Sequence, residues 1–308
     1  MKKVFAVMAV AGFAASALAQ NSGARLIDGN ALYDVTSAGA TGTIPTTSEP
    51  TGTAAGAQAN LRPSGAPGTT GQDQLYANWW WYRVNGASTR ELGVRQTTGT
   101  AVKSSLGSNH VAYQITPATG LTFTMNYWLT DLDGAGGNNA ANILTSMTVT
   151  NTTGAAADIS LFNMVDLFLF GGDAGDRLRT ATVGGNGDRS LLVSDSTVAA
   201  AAATMMFTGY GATGYGIGTF SGISGQMSDT GLDNFADVNS GAPVEPTAGA
   251  DISAVMQWNL GLVPDGGSRT VWSAVAVDLG GTAQTVPTPG ALALVGMGGL
   301  IASRRRRA

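Results

Sequence analysis

The clearest signal of the fold is the segment Leu121-Thr-Phe-Thr-Met-Asn-Tyr-Trp-Leu-Thr130. Large apolar residues occupy its odd positions, and threonine, asparagine and one tryptophan occupy its even positions. Side chains of a β-strand point alternately to its two faces, so this alternation predicts a strand with one packed face and one face toward water. Residues 143–150 and 252–262 show the same period of two.

Weaker alternation predicts further short strands, with turn signals such as Thr152-Thr-Gly-Ala155 between some of them. These strands are predicted over residues 24–35, 74–84, 110–116, 159–170, 177–183, 190–194 and 269–279. Residues 231–238 fit one or two helical turns, and residues 198–206 fit either a helix or a strand. Many short strands without alternating helices predict an all-β chain, folded as an antiparallel two-sheet β-sandwich of jelly-roll-like form.

The two ends of the chain differ from this strand-rich body. Residues 1–19 combine Lys2 and Lys3, an apolar run and Ala17-Leu-Ala19, which together predict a cleaved secretory signal peptide. Residues 20–72 are predicted to hold one strand and a long, disordered-looking loop rich in Thr, Gly, Ala and Pro. The sandwich domain is predicted over residues 73–280, and residues 281–308 form a separate tail.

The tail has three parts. It contains Val286-Pro-Thr-Pro289, then an apolar run from Gly290 to Ala302, and then Arg304, Arg305, Arg306 and Arg307. A helix over that run would be only about 20 Å long at 1.5 Å per residue. Because a hydrocarbon core is roughly 30 Å thick, this short helix predicts transient rather than permanent anchoring in a membrane, with the arginines on the cytoplasmic side.

The signal peptide and the tail together resemble those of bacterial PEP-CTERM proteins. Val286, Pro287, Pro289 and the four arginines match the family pattern, and Thr288 stands where the family has glutamate. The resemblance implies export, transient retention in the inner membrane, cleavage near the prolines by an exosortase-type sorting enzyme, and delivery to the cell surface or extracellular matrix. It covers about the last 23 residues only.

Composition restricts the partners of the exported body. Six of the sixteen Lys and Arg residues lie in the terminal segments, whereas all twenty acidic residues lie between them, which leaves ten basic and twenty acidic groups in the body. An acidic body does not favour nucleic acid, because phosphate binding requires clustered Lys and Arg. The chain has no cysteine, which excludes disulfides and thiol chemistry.

The sequence contains no recognisable catalytic group, and we therefore expected a protein that is not an enzyme. His110 is the single histidine, is predicted to point outward from its strand, and has no G-x-S-x-G motif to accompany it. Asp166 interrupts an apolar strand face, and we expected it to pair with Arg177 or Arg179, because a buried carboxylate needs a partner.

Asp131 and Asp133 are weak candidates for a calcium site. They begin a loop that resembles an EF-hand loop, but its fifth and twelfth positions are Ala135 and Asn142, which are not the expected ligands. Asp, Asn and Gly are also the residues that tight turns require, so a purely structural role remains the alternative. No other cofactor is expected.

Trp79, Trp81 and Trp128 are the candidate carbohydrate-binding residues. On a solvated sheet face, their flat rings could stack on sugars. The alternative is that both faces of their strands are covered and that all three belong to the core. The sequence thus favours an exported structural or adhesive protein, with a secreted carbohydrate-binding module or polysaccharide-acting enzyme as the second hypothesis. Outward threonines such as Thr148 and Thr150 suggest an ice-binding surface as a distant third.

Overall fold

The computed structural model describes residues 24–35, 59–63, 73–94, 99–117, 119–133, 139–169, 174–197 and 204–280. The predicted signal peptide, most of the low-complexity loop and the predicted sorting tail lie outside these residues, and so do Val286, Pro287, Pro289 and Arg304 to Arg307. The predictions for those segments therefore stay predictions. In the ranges that are described, no helix has the length and apolarity that a membrane crossing requires.

The described residues form seventeen strands and one helix. In chain order they are β1 (Arg25–Asp28), β2 (Ala31–Asp34), β3 (Asn60–Arg62), β4 (Leu75–Val84), β5 (Leu92–Gly93), β6 (Gly99–Ser105), β7 (His110–Pro117), β8 (Leu121–Asp131), β9 (Ala140–Asn151), β10 (Ala157–Leu167), β11 (Asp176–Val183), β12 (Arg189–Asp195), β13 (Thr204–Tyr210), β14 (Gly214–Thr219), α1 (Phe220–Ser228), β15 (Val238–Ser240), β16 (Ile252–Val263) and β17 (Ser268–Asp278).

Two large sheets make up the body. One has eight strands in the order β11-β12-β13-β17-β9-β8-β7-β6, and the other has six in the order β15-β14-β16-β10-β4-β5. Among the described strands every pairing is antiparallel except that of β14 with β15. The prediction of an antiparallel, all-β, sandwich-like fold is confirmed.

The core lies between the inner faces of the two large sheets. β8 alternates between fully buried and half-buried residues as its sequence predicts, and its buried face carries Leu121, Phe123, Met125, Tyr127 and Leu129. Phe123 packs against Tyr82 of the six-stranded sheet, with ring centroids 4.6 Å apart. Burial of each such side chain contributes about 1.5–3 kcal/mol, so this interface is a main source of stability.

β10 is buried along nearly its whole length because it lies between β4 and β16 and is covered on both faces. Its inner side bonds to the other sheet, where Ser273 Oγ donates to Asn163 Oδ1 over 2.7 Å. Its outer side carries Phe162, Met164 and Asp166, which are also buried. The apolar character of residues 161–170 correctly predicted a central strand.

The first predicted strand, residues 24–35, is in fact a hairpin of β1 and β2. The chain reverses at Gly29, whose φ of +52° lies in the left-handed region that favours glycine. β3 completes a three-stranded sheet, and Tyr33 of this small sheet stacks on Tyr127 of the main core at 6.0 Å. The N-terminal residues are therefore packed against the sandwich.

The helical prediction was wrong in position. Residues 231–238 form no helix, whereas α1 begins eleven residues earlier, where Thr219 Oγ1 accepts a hydrogen bond from the Gly222 N–H. Ile223 and Met227 are the buried apolar residues of α1. The helix packs on β14 and β16, so α1 and the chain that follows it lie over the outer face of the six-stranded sheet.

Candidate functional site

Trp79 and Trp81 are buried, each only 1% exposed, which agrees with the alternative that they belong to the core. They do point to the outer face of β4, as the alternation of the strand requires, but that face is covered. Phe235, from the chain after α1, packs edge-on against Phe162, the residue directly opposite Trp81, with centroids 6.2 Å apart. The two indoles therefore serve the hydrophobic core.

Arg83 attaches the chain after α1, which covers this outer face, to the six-stranded sheet. Its guanidinium forms an ion pair with Glu91 at 2.8 Å and donates to the Asp233 carbonyl and the Asn234 side chain. It also lies over the Phe162 ring, 5.3 Å from the centroid. Both charged partners are buried, so this arginine ties residues 233–234 onto the sheet.

Trp128 lies on the opposite side of the molecule, on the outer face of the eight-stranded sheet, and is half-buried. Its indole stacks on His110 at 4.5 Å and on Trp272 at 5.4 Å, with interplanar angles of 26° and 21°. We call His110, Trp128 and Trp272 the aromatic row. The row crosses from β7 over β8 to β17 and bridges β9, where Leu144 lies directly opposite Trp128 and is 3% exposed.

The aromatic row continues into a row of uncharged hydrogen-bonding groups. His110 Nε2 lies 3.3 Å from Asn126 Oδ1, and Asn126 Nδ2 donates to Ser146 Oγ at 3.3 Å. Because an amide oxygen only accepts, this arrangement assigns the histidine proton to Nε2. Burial lowers the pKa of His110 below its usual 6.5, so the imidazole is neutral at pH 7.

Hydroxyl pairs fill the same face beyond the aromatic row. Thr148 pairs with Thr270 and Thr150 pairs with Ser268, each with an oxygen–oxygen distance of 2.8 Å. These side chains lie in register across β9 and β17. We call this hydroxyl field and the aromatic row together the open face. It presents flat rings beside amide and hydroxyl groups, without a charged group at its centre.

Trp272 is the functional candidate that sequence reasoning missed, and His110 was considered only as an isolated surface residue. The sequence does indicate the orientation of Trp272. Val271, Val275 and Val277 occupy alternate positions of the strand, which places residue 272 on the outer face. The stack itself depends on the pairing of β17 with β9, in which Trp272 lies opposite Ser146. That pairing joins segments more than a hundred residues apart.

The carboxyl groups of the weak calcium candidates, Asp131 and Asp133, accept backbone hydrogen bonds at turns. Asp131 Oδ2 accepts a hydrogen bond from the Asn30 N–H at 3.0 Å, and Asp133 Oδ2 accepts from the Asn139 N–H at 2.9 Å. In the part of the chain that the structure describes, no three acidic or histidine side chains are grouped so that they could hold a metal ion. These contacts agree with the structural role that was the alternative for this loop.

No described ion pair joins Asp166 to Arg177 or Arg179. Its Oδ1 accepts a hydrogen bond of 2.7 Å from Ser253 Oγ on the neighbouring strand β16. Arg177 and Arg179 instead contact Glu245, at 3.4 and 3.3 Å. The expectation failed because Asp166 lies on the covered sheet face, whereas both arginines reach the loop that contains Glu245.

A cavity of about 860 Å³ opens at one end of the sandwich, near the turn after β4. Its walls include Arg90, Asp158 and Leu262, and the last of these is 68% exposed. The rest of the wall is mainly turn residues and small side chains.

No family model and no curated protein matches this chain. Solved structures do resemble it. A bacterial glucoamylase complexed with acarbose aligns with a TM-score of 0.46 and 10% identity, over 68% of this chain and 27% of its own length. A putative aldose 1-epimerase from Escherichia coli gives 0.42 and 9%, over 84% and 99%. A galactose mutarotase related enzyme from Lactobacillus acidophilus gives 0.43 and 7%, over 86% and 100%.

All three of these structures are named as enzymes or as related to one. This finding contradicts our expectation that the chain is not an enzyme, and that expectation is withdrawn. With TM-scores below 0.5 and identities of 10% or less, the similarity assigns neither an activity nor a substrate to this chain.

Proposed function

We propose that the protein is exported to the cell surface or extracellular matrix and binds carbohydrate there through the open face. The observation that carries the proposal is the aromatic row, in which two indoles and an imidazole are stacked and half-buried at the surface of the eight-stranded sheet.

The chemistry of the row suits a sugar ligand. Sugar rings have apolar C–H faces that pack on aromatic rings, and hydroxyl groups that need hydrogen-bond partners. Stacking between Trp128 and its two neighbours holds the rings in place before binding, so little side-chain entropy is lost. Asn126 is half-buried beside the row and supplies an amide donor and acceptor, and the buried Ser146 holds that amide in place.

The absence of charge at the centre of the open face favours a neutral ligand. The only titratable member of the row, His110, is kept neutral by burial. The acidic balance of the exported body also opposes polyanions. We therefore favour neutral extracellular polysaccharide over anionic polymers.

Export and sorting rest on the sequence of the two ends. The signal peptide over residues 1–19 and the tail with Val286, Pro287, Pro289 and four arginines support transient anchoring in the inner membrane and processing by an exosortase-type enzyme. A polysaccharide-binding protein delivered in this way would have the structural or adhesive role that the sequence favours.

A glycan array tests the proposal. We expect the purified protein to bind neutral polysaccharides, and a Trp128→Ala, Trp272→Ala double variant to lose about tenfold or more in affinity, because aromatic contacts of 0.5–1.5 kcal/mol each are removed. Tyr215→Ala is the matched control, since Tyr215 is a half-exposed aromatic residue of the six-stranded sheet.

The carbohydrate proposal would be contradicted if the double variant bound as tightly as the unmodified protein. It would also be contradicted if the unmodified protein bound no neutral glycan. The carboxy terminus of protein released from the cell surface tests the sorting proposal separately. Mass spectrometry should place it near Pro287 to Pro289, and an intact Ala308 on protein confined to the cytosol would exclude processing.

A further inference from the structure

Two buried aspartates face each other at the edge of the eight-stranded sheet. Asp176, the first residue of β11, lies directly opposite Asp195, the last residue of β12. Asp176 is completely buried and Asp195 is 4% exposed. Residues directly opposite across an antiparallel pair lie on the same face, and like charges in that arrangement destabilise a sheet.

The two carboxyl groups differ in how they are satisfied. Asp195 Oδ1 accepts hydrogen bonds from the backbone N–H and the hydroxyl of Thr197, both at 2.6 Å. Neither side-chain oxygen of Asp176 has a hydrogen-bond partner among the described residues. A buried carboxylate without a partner is among the most costly groups in a folded protein.

The surroundings of Asp176 are negative. Burial, followed by the charge of Asp195, raises the pKa of Asp176 to about 9, and Asp166 and Asp251 contribute to the rise. The Leu169 backbone opposes the rise but forms no hydrogen bond of good geometry with the carboxyl group. Three other carboxyl groups therefore act on that of Asp176.

No described basic side chain compensates for this charge. Arg177 follows Asp176 directly, so the alternation of β11 directs it to the other face, where its guanidinium contacts Ser194 and the Glu245 loop. Among the described residues, no ion pair involves Asp176.

Glycines bring the backbone close to the Asp195 carboxyl group. A Cβ at Gly175 would collide with the Asp195 carboxylate, and a Cβ at Gly249 would collide with the Gly175 backbone. Ser196 N–H also donates to the Gly175 carbonyl at 2.7 Å. The crowding at these two glycines leaves little room for a basic side chain, so the negative charge can be met by a proton or by a small cation.

We propose that Asp176 and Asp195 bind a divalent cation of the calcium type at this junction. Carboxylate oxygens are the preferred ligands of such hard cations, and calcium accepts six to eight oxygens in flexible geometry. Since the described residues contain no group of three acidic side chains that could hold a metal alone, backbone carbonyls and water would complete the coordination.

Bound calcium would strengthen a junction between distant parts of the chain. The Ala250 N–H donates to the Asp176 carbonyl at 2.9 Å, and the Gly249 N–H donates to Ser196 Oγ at 3.0 Å. The ion would thus hold β11 and β12 against the loop that precedes β16. This inference is independent of carbohydrate binding at the open face.

Thermal unfolding with and without calcium tests the inference. In the metal-free protein, calcium at about a hundred times its Kd should raise Tm by roughly 5–10 °C, as expected for a ligand that binds only the folded state. Asp176→Asn and Asp195→Asn should abolish the rise. Asp133→Asn is the control and should retain it, because Asp133 caps an exposed turn.

Direct calorimetric titration of calcium into the unmodified protein provides a second measurement that does not depend on folding of the variants. One bound ion per chain is expected. The inference would be overturned if calcium gave neither binding heat nor a Tm shift in the unmodified protein. It would also be overturned if the metal-free Asp176→Asn variant were at least as stable as the parent and still showed the parent's calcium response. Asp176 would then be a buried, protonated carboxyl group.

Discussion

The outer faces of the two large sheets both carry tryptophans, but these tryptophans differ in exposure. Trp79 and Trp81, on the six-stranded sheet, are 1% exposed, whereas Trp128 and Trp272, on the eight-stranded sheet, are half-buried. The difference arises from α1 and the chain after it, which cover the first face. Alternation thus determines the side of the sheet to which a residue points, and a separate layer determines whether that side meets water.

The polar residues on each face follow the same distinction. Under the cover, Arg83 is held by Glu91 and by residues 233–234, and Asp166 by Ser253. On the open face, Thr148 pairs with Thr270 across the strands and remains partly accessible. Covered polar groups therefore serve stability, and open ones are available to a ligand.

The largest expected difference concerns truncation of one tryptophan on each face. Trp81→Ala should destabilise the protein by about 3–5 kcal/mol, the usual cost of removing a large buried aromatic side chain. Trp128→Ala should cost only about 1–2 kcal/mol, because it removes two stacking contacts from a half-buried ring. Denaturant unfolding monitored by circular dichroism measures both values, and equal costs would show that the two faces are equally covered.

Removal of the Glu91 side chain tests how the chain after α1 is attached to the six-stranded sheet. Glu91→Ala leaves the Arg83 guanidinium buried without its ionic partner, so we expect a loss of about 3 kcal/mol. Hydrogen exchange should then accelerate in residues 229–240, which this arginine holds to the sheet. The more exposed pair of Arg179 with Glu245 provides the control, and Arg179→Ala should cost less than about 1 kcal/mol. Unaltered exchange in Glu91→Ala would count against the role of Arg83.

The smallest effect concerns the open face and pH. Burial lowers the pKa of His110 in the folded state, so the unfolded chain takes up the proton first as the pH falls. The corresponding stability is present above pH 6.5 and is lost as the pH falls through the lower folded pKa. Tm measured from pH 8 to pH 5 should therefore fall more steeply for the parent than for His110→Gln. Parallel curves would indicate a fully solvated histidine.

Several features could be predicted from the sequence because they depend on neighbouring residues. The alternation over Leu121 to Thr130 predicted the buried and half-buried faces of β8, and the apolar run around Phe162 predicted a central strand. The hairpin of β1 and β2 was missed because residues 24–35 were interpreted as one strand, although the chain reverses at Gly29.

The candidate sites required long-range pairing. Trp128 and Trp272 form one row only because β8, β9 and β17 are adjacent, and Asp176 opposes Asp195 only because β11 pairs with β12 in that register. Likewise, Trp79 and Trp81 are buried through contacts made by residues far along the chain.

The order of residues along the chain was thus enough to predict an all-β fold and the composition of each strand face. Only the tertiary structure decided which outward tryptophans meet water and which carboxylates come together. The physical reason is that side-chain direction repeats every two residues along a strand, whereas burial and charge proximity depend on segments brought together from distant parts of the chain.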